Sequence, residues 1–600
     1  SLKAQGLVNV MSKQSPDSTQ SGLIEVGGEI ARISGLSAAL LMRLASRWEL
    51  PTFDPLNIRK PLAAGAWNML THPRRVLHAQ WELSRRYLGL MKYLGARVIR
   101  RPIEPITAPI RGDRRFRSEA WDDKLVFDML KQAYLLTADW MLDNVARMQE
   151  VSAEDRMRIR FYTRQFADAL SPSNFVLTNP EILETTRREK GVNLLRGFRM
   201  LLEDVQRGDG QLLISMTEPG AFTVGENIAT TEGSVVFQND MMQLIQYAPR
   251  TKTVYTRPLL IVPPWINKFY ILDLQPKNSF IRWAVDRGYT VFVVSWVNPD
   301  EKLRHKGFDD YMHDGILAAI DAVEQATGQR EVNTIGYCIG GTLLAATLAW
   351  MKASDDDRIK SATFFTAQVD FADAGELRVF IDDKQLNGLE KKMKAQGYLD
   401  GQSMAMTFNM LRANDLIWSF VVNNYLLGRK PANFDLLHWN ADFTRLPEAM
   451  HTFYLRKMYL ENRLVEPGGI EMDGVPIDLT TIDVPVYLQS SREDHIAPYP
   501  SVYKATQVYS GPVTFMLAGS GHIAGVINPP EAKKYGYWTN DDLPEDPEAW
   551  IAGAEQHQGS WWPHWHDWLK QHSGRRIKAR IPGEGKLEVI EPAPGSYVKG

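Results

Sequence analysis

Apolar and polar positions change their spacing along this chain of 600 residues, and the changes divide it. From Ile30 to Leu50, and again from Pro73 to Arg100, apolar residues recur every three to four positions with arginines between them, which predicts amphipathic helices. Trp81, Tyr87, Leu90 and Tyr93 would share one side of the second, either as packed core or as a face for a partner. Residues 1 to about 20 are rich in Ser, Gln and Gly and predict disorder. Pro102 to Pro109 reads as a linker, so residues 1–110 form a partly disordered helical region. Helical spacing resumes from Lys124 to Met148 and from Asp155 to Leu170. Asn179 then offers an N-cap with Pro180 at the first helical position. Residues 111–217 therefore predict a helical domain.

Near Glu218 the pattern becomes that of strands. Ser234–Phe237, Thr253–Tyr255, Pro258–Val262 and Thr290–Trp296 are short apolar runs; a helix at Asp309–Thr327 leads to the strand Val332–Ile335. A helix at Gly340–Lys352 and a strand at Ala362–Phe365 follow, and the sheet resumes with Val484–Gln489 and Val513–Leu517. Strands alternating with helices predict an α/β domain over 218–600 with a mostly parallel sheet. The alternation stops between about 371 and 480. That insertion is too long for a simple connection and predicts a cap over the end of the sheet.

Gly336-Tyr337-Cys338-Ile339-Gly340-Gly341 lies between the strand at 332–335 and its helix. This is the G-x-S-x-G nucleophile turn of α/β-hydrolases with sulfur in place of oxygen, so the chain predicts an α/β-hydrolase fold. The turn places the sulfur at a helix N-terminus, where the positive end of the dipole favours an anion. The plainer reading is a buried cysteine that merely follows a strand. A nucleophile needs a base and an acid, which in this fold follow late strands in the order nucleophile, acid, histidine. Asp494 follows Val484–Gln489, and His522 follows Val513–Leu517 between Gly521 and Gly525. His495 is the alternative base; Glu493 and Asp370 are alternative acids. Two backbone N–H groups must form an oxyanion hole. Ile339 supplies one, and in the loop after Leu259–Val262 the prolines 263 and 264 cannot donate, leaving Trp265 or Ile266. The tryptophan- and histidine-rich run from Trp561 to Trp568 predicts aromatic packing rather than a metal site.

Composition narrows the class. A 44% hydrophobic and 23% charged chain is ordinary for a globular protein. One cysteine excludes an intrachain disulfide and fits a reducing cytoplasm, and the opening residues carry no signal-peptide pattern. No stretch approaches the roughly 18 apolar residues of a membrane span. The net charge of -2 hides an asymmetry: 19 Lys+Arg against 9 Asp+Glu through residue 120, then 50 against 62. The basic start suggests an acidic partner or simply a solvated helical surface. No phosphate loop, CxxC pair or HExxH metal motif is present, so no cofactor or metal is expected.

From about residue 110 onward the chain resembles the polyhydroxyalkanoate synthases. The resemblance rests on the motif around Cys338, Pro263–Lys268, Gly521–Gly525, Arg492–His495, Asp113–Phe116, Ser171–Glu181 and Tyr537–Asn540. Ile271–Pro276 and the chain length are most similar to the class I enzymes, which prefer short 3-hydroxyacyl-CoA thioesters. The resemblance implies a triad of Cys338, Asp494 and His522, a cap with a mobile segment, and an active homodimer. It also implies attachment to cytoplasmic polyester granules and their associated proteins. It implies a 3-hydroxyacyl-CoA substrate, a growing polyester chain, free CoA as product, and no nucleic-acid partner. Where many class I members carry a cysteine this chain has Trp265, whose bulk would reshape the acyl pocket while leaving its backbone N–H in place. The other readings are a cysteine thioesterase or hydrolase of the same fold, and a non-enzymatic granule-surface protein.

Overall fold

The computed structural model describes residues 71–600 apart from 111, 149 and 150, together with Ala63, Gly65 and Trp67. The expectations of a disordered start and of a helix at 30–50 lie outside the described residues. The chain divides into two compact units. One comprises residues up to Pro219 together with Arg412–Asn433; the other comprises Gly220–Leu411 and Phe434–Gly600.

The first unit is helical: α1 Pro73–Val98, α2 Leu125–Ala146, α3 Ala153–Ala169, α4 Pro180–Arg188 and α5 Val192–Arg207. Local chemistry sets these boundaries. Ser152 caps α3 by accepting from the Asp155 N–H, and Asn179 caps α4 by accepting from Glu181 and Ile182, with Pro180 at the first position. Gly191, at φ 85°, makes the turn between α4 and α5. Leu90 and Tyr93 of α1 bury against Leu136 of α2, whereas Trp81 and Leu77 on α1 are exposed. Arg115 is held by Asp113 at 2.8 Å and Asp168 at 3.2 Å, between the rings of Phe116 and Tyr134.

Residues 412–433 fall inside the stretch whose sequence reads as an insertion in the α/β domain, yet they pack in the helical unit. Tyr425 donates to the Asp204 carboxylate at 2.6 Å, Asn193 to the Leu426 carbonyl at 2.8 Å and Asn424 to the Ser215 carbonyl at 2.9 Å. Gly197 of α5 lies so close that a Cβ there would sit 1.9 Å from the Tyr425 carbonyl oxygen. The partners of this segment are more than 200 residues away in sequence, which no local pattern reports.

The second unit is built on an 11-stranded sheet. Its strands are β1 Gly233–Gln238, β2 Met242–Tyr247, β3 Leu259–Val262, β4 Val291–Trp296, β5 Val332–Tyr337, β6 Ile359–Phe365, β7 Val486–Ser491, β8 Val513–Ala518, β9 Gly536–Thr539, β10 Glu555–Gln558 and β11 Glu591–Pro592. The spatial order is β10-β9-β8-β7-β6-β5-β3-β4-β2-β1-β11. The six strands β4-β3-β5-β6-β7-β8 are parallel, and both flanks are antiparallel. The central strands β3, β4 and β5 are buried at every residue, as expected of strands covered on both faces. Thr253–Tyr255 lies outside this sheet and pairs with Arg576–Lys578. β2 continues the sheet where Gln243 and Gln246, three positions apart, break the apolar run. The predicted helix at 309–327 is broken into the turn Phe308–Asp310, a π-helical segment Tyr311–Leu317 and an α-helix Ala318–Thr327, with Gly315 pressed against the Trp296 ring. Trp561, Trp562 and Trp565 are fully buried in the core beside Phe280 and Phe365. Among the described residues no helix is long and apolar enough to cross a membrane.

Gly197→Ala should destabilise the helical unit by about 1–3 kcal/mol, because a backbone oxygen cannot yield to the new methyl as a side chain would. Thermal unfolding and the rate of proteolysis within 412–433 report it; unchanged melting and unchanged cleavage would contradict the packing described.

Candidate active site

Cys338 closes β5 and opens helix α6, Ile339–Ala353, with φ 52° and ψ -125°. That is a left-handed conformation at a non-glycine residue, which costs on the order of 1–3 kcal/mol unless its surroundings impose it. Here they do. The Cys338 N–H donates to the Phe365 carbonyl of β6 at 2.9 Å, and its carbonyl accepts from Gly341 and Thr342 at 2.8 and 3.1 Å. Gly340 makes the neighbouring approach possible: a Cβ there would sit 2.4 Å from the Val262 oxygen and 2.7 Å from that of Pro263. The loop after β3 therefore runs directly beside the first turn of α6. The cysteine itself is only partly buried.

The two late loops meet at this turn. His522 Nδ1 lies 2.7 Å from Asp494 Oδ2, and both residues are buried. The other oxygen of Asp494 accepts from the Ile496 and Ala497 N–H groups at 2.8 and 2.9 Å, which fixes the carboxylate. The loops are joined where the Glu493 N–H donates to the Ser520 carbonyl at 2.9 Å. Below them, Trp561 and Trp562 donate to the Gly525 and Val526 carbonyls at 2.7 and 2.9 Å, so the aromatic cluster anchors the histidine loop. With Nδ1 engaged by Asp494, Nε2 is the nitrogen left for the Cys338 sulfur, which acts on the same imidazole. Burial opposes charge on His522, but the Asp494 carboxylate, its hydrogen bond and the Cys338 sulfur outweigh it and push the pKa up to about 10.

His522 rather than His495 is thus the histidine bonded to Asp494. Glu493 is exposed, and Asp370 is occupied elsewhere, accepting from Asn462 at 3.0 Å and from the Ala372 N–H at 2.9 Å. In the loop after β3, the Trp265 ring is buried against Tyr311, Trp296 and Phe308, at centroid separations of 4.4, 5.4 and 6.4 Å. Ile339 is the first residue of α6, where an N–H has no carbonyl of its own helix to bond.

The insertion adds residues with no motif to announce them. Tyr454 and Tyr459 are buried, their rings stack edge to face at 5.5 Å, and Phe371 contacts both. Burial pushes both phenols well up, and the Cys338 sulfur, within electrostatic reach, adds to the effect. Residues 439–444 lie along the loop after β3: Asn267 donates to the Trp439 carbonyl at 3.3 Å, Trp439 donates to the Lys268 carbonyl at 2.7 Å, and Lys268 pairs with Asp442 at 2.9 Å. Their signal in sequence is nil, because each contact joins residues about 170 positions apart.

A parallel sheet with a cysteine on the strand-to-helix turn, and an acid and a histidine on the two late loops, defines a protein of the α/β-hydrolase class. A family model for the alpha/beta hydrolase fold matches residues 258–529, and one described as poly-beta-hydroxybutyrate polymerase (PhaC) N-terminus matches residues 112–284. The chain is 50% identical over 541 residues to the poly(3-hydroxyalkanoate) polymerase of Methylorubrum extorquens, covering 90% of this chain and 89% of that one. It is 47% identical over 594 residues to the poly(3-hydroxyalkanoate) polymerase subunit PhaC of Rhizobium meliloti, covering 97% of each. To the subunit of the same name from Rhizobium etli it is 46% identical over 573 residues, covering 93% and 90%. The chain belongs to the poly(3-hydroxyalkanoate) polymerase family.

The raised pKa of His522 makes the Asp494 pairing pH-dependent. A histidine whose pKa rises from 6.5 unfolded to about 10 folded adds stability that is complete below about pH 6.5 and is lost as pH rises through about 10. Asp494→Asn should therefore lower the urea midpoint most at pH 6, with the two proteins converging toward pH 10. A gap that widens with rising pH would refute the assignment.

Proposed function

We propose that this enzyme polymerises short (R)-3-hydroxyacyl-CoA, such as 3-hydroxybutyryl-CoA, into polyester through a thioester on Cys338, releasing CoA. The observation that carries the reading is Cys338 on its strained turn beside the bonded His522–Asp494 pair, in a chain about half identical to named polymerases.

In the first step His522 holds the proton of the Cys338 thiol, and the sulfur attacks the carbonyl carbon of the acyl-CoA. The oxyanion takes N–H bonds from Ile339 and from Trp265 or Ile266. The bond to CoA sulfur breaks, and His522 returns its proton to the departing CoA thiolate. In the second step the hydroxyl of a chain end or of the next monomer attacks the Cys338 thioester. His522 accepts the hydroxyl proton, an ester forms, and the sulfur leaves to receive that proton. Exchange of one thioester for another is nearly balanced in energy, and the acyl group remains reactive enough for an alcohol, which suits a cysteine better than a serine. The bond between Asp494 and His522 Nδ1 supports an orienting role for the acid. The insertion over 371–480, apart from the segment 412–433 built into the helical unit, serves as a cap, because water reaching the thioester would end the chain. No cofactor enters this chemistry. A homodimer attached to cytoplasmic polyester granules completes the reading, as the resemblance implies.

Cys338→Ala should abolish thiol release from 3-hydroxybutyryl-CoA, and the wild-type product should be insoluble polyester. Retained turnover in the variant would remove the nucleophile assignment. Soluble 3-hydroxybutyrate in place of polymer would identify a thioesterase.

A further inference from the structure

Thr444 is buried beside the loop after β3 and bonds it twice. Its N–H donates to the Ile266 carbonyl at 3.1 Å, and its hydroxyl donates to the Trp265 carbonyl while lying 3.1 Å from the Ile266 oxygen. Since the amide already serves the Ile266 carbonyl, the hydroxyl proton is available to Trp265. A trans peptide holds the carbonyl of one residue and the N–H of the next in one plane, pointing in opposite directions. Anchoring the Trp265 carbonyl on Thr444 therefore turns the Ile266 N–H toward the opposite side of the loop. The loop cannot slide to undo this. Trp296 holds the Pro263 carbonyl at 2.8 Å, and Gly340 of α6 presses against the Val262 and Pro263 carbonyls.

We propose that Thr444 is a positioning residue for acyl transfer: through the Trp265 carbonyl it fixes the Ile266 N–H as the second oxyanion donor, opposite that of Ile339. The inference rests on the reading of Cys338 as the nucleophile. Because Thr444 belongs to the insertion, the seating of residues 439–444 and the oxyanion hole are one structure. Displacing that segment would release the Trp265–Ile266 peptide, so a thioester opened to water would lose its stabilised transition state at the same moment. Hydrolysis is thereby suppressed by geometry as well as by shielding.

The test compares Thr444→Val, which keeps the shape and removes the hydroxyl, with Thr444→Ser, which restores it, in the full chain with 3-hydroxybutyryl-CoA. Removing an oxyanion donor outright costs about 100- to 1000-fold in kcat, and loosening one should cost about 10- to 100-fold. The expected result is that fall in kcat for Thr444→Val, with KM within about twofold, and recovery to within about threefold in Thr444→Ser. The rate at which iodoacetamide alkylates Cys338 should not change, because the sulfur and His522 are untouched. Unchanged kcat in Thr444→Val overturns the proposal, as does an equal loss in both variants or a parallel loss of alkylation. Should Thr444→Val fail to fold, Thr444→Ala against Thr444→Ser makes the same comparison. Turnover surviving in Cys338→Ala would remove the underlying reading, whereas full activity in Thr444→Val removes only the positioning role.

Discussion

The backbone of Cys338 is the constraint on which the catalytic unit depends. A left-handed cysteine between a strand and a helix is held only if neighbours on every side fix it. β6 accepts its N–H, the first turn of α6 takes its carbonyl, and the absence of a side chain at Gly340 lets the loop after β3 come within touching distance. Those neighbours are the inner strands of a parallel sheet buried on both faces, where a shift of any strand would open a cavity. Strain at one residue is thus carried by the rigidity of the whole core, and the same rigidity delivers the sulfur to a fixed point.

Asp494 and His522 are supported from beneath as well as from within their own loops. Two indole N–H groups bond the carbonyls that follow His522, and two loop amides bond Asp494. A buried imidazole without a carboxylate partner loses its proton to burial, as at His451, where burial alone pulls the pKa down to about 4. His522 is equally buried, and the carboxylate reverses the sign. Pairing with Asp494, despite burial, favours the charged imidazole beside the sulfur.

The insertion is divided between two tasks. Residues 439–444 follow the loop after β3, whereas residues 412–433 are built into the helical unit through Asp204, Asn193 and Ser215. A stretch that is continuous in sequence therefore belongs to two cores.

Periodicity and turn chemistry are local properties, and they alone fixed the helices capped by Ser152 and Asn179, the parallel strands, and the glycine turn at Cys338. The order of Cys338, Asp494 and His522 after their strands was also legible, because each strand is announced by its own residues. Tertiary structure decided what depends on distant partners. It joined His522 rather than His495 to Asp494, turned Asp370 toward Asn462, moved 412–433 into the helical unit and set Thr444 against Trp265. Those choices are made by hydrogen bonds and close packing between residues far apart in the chain, and a sequence records such residues without recording that they meet.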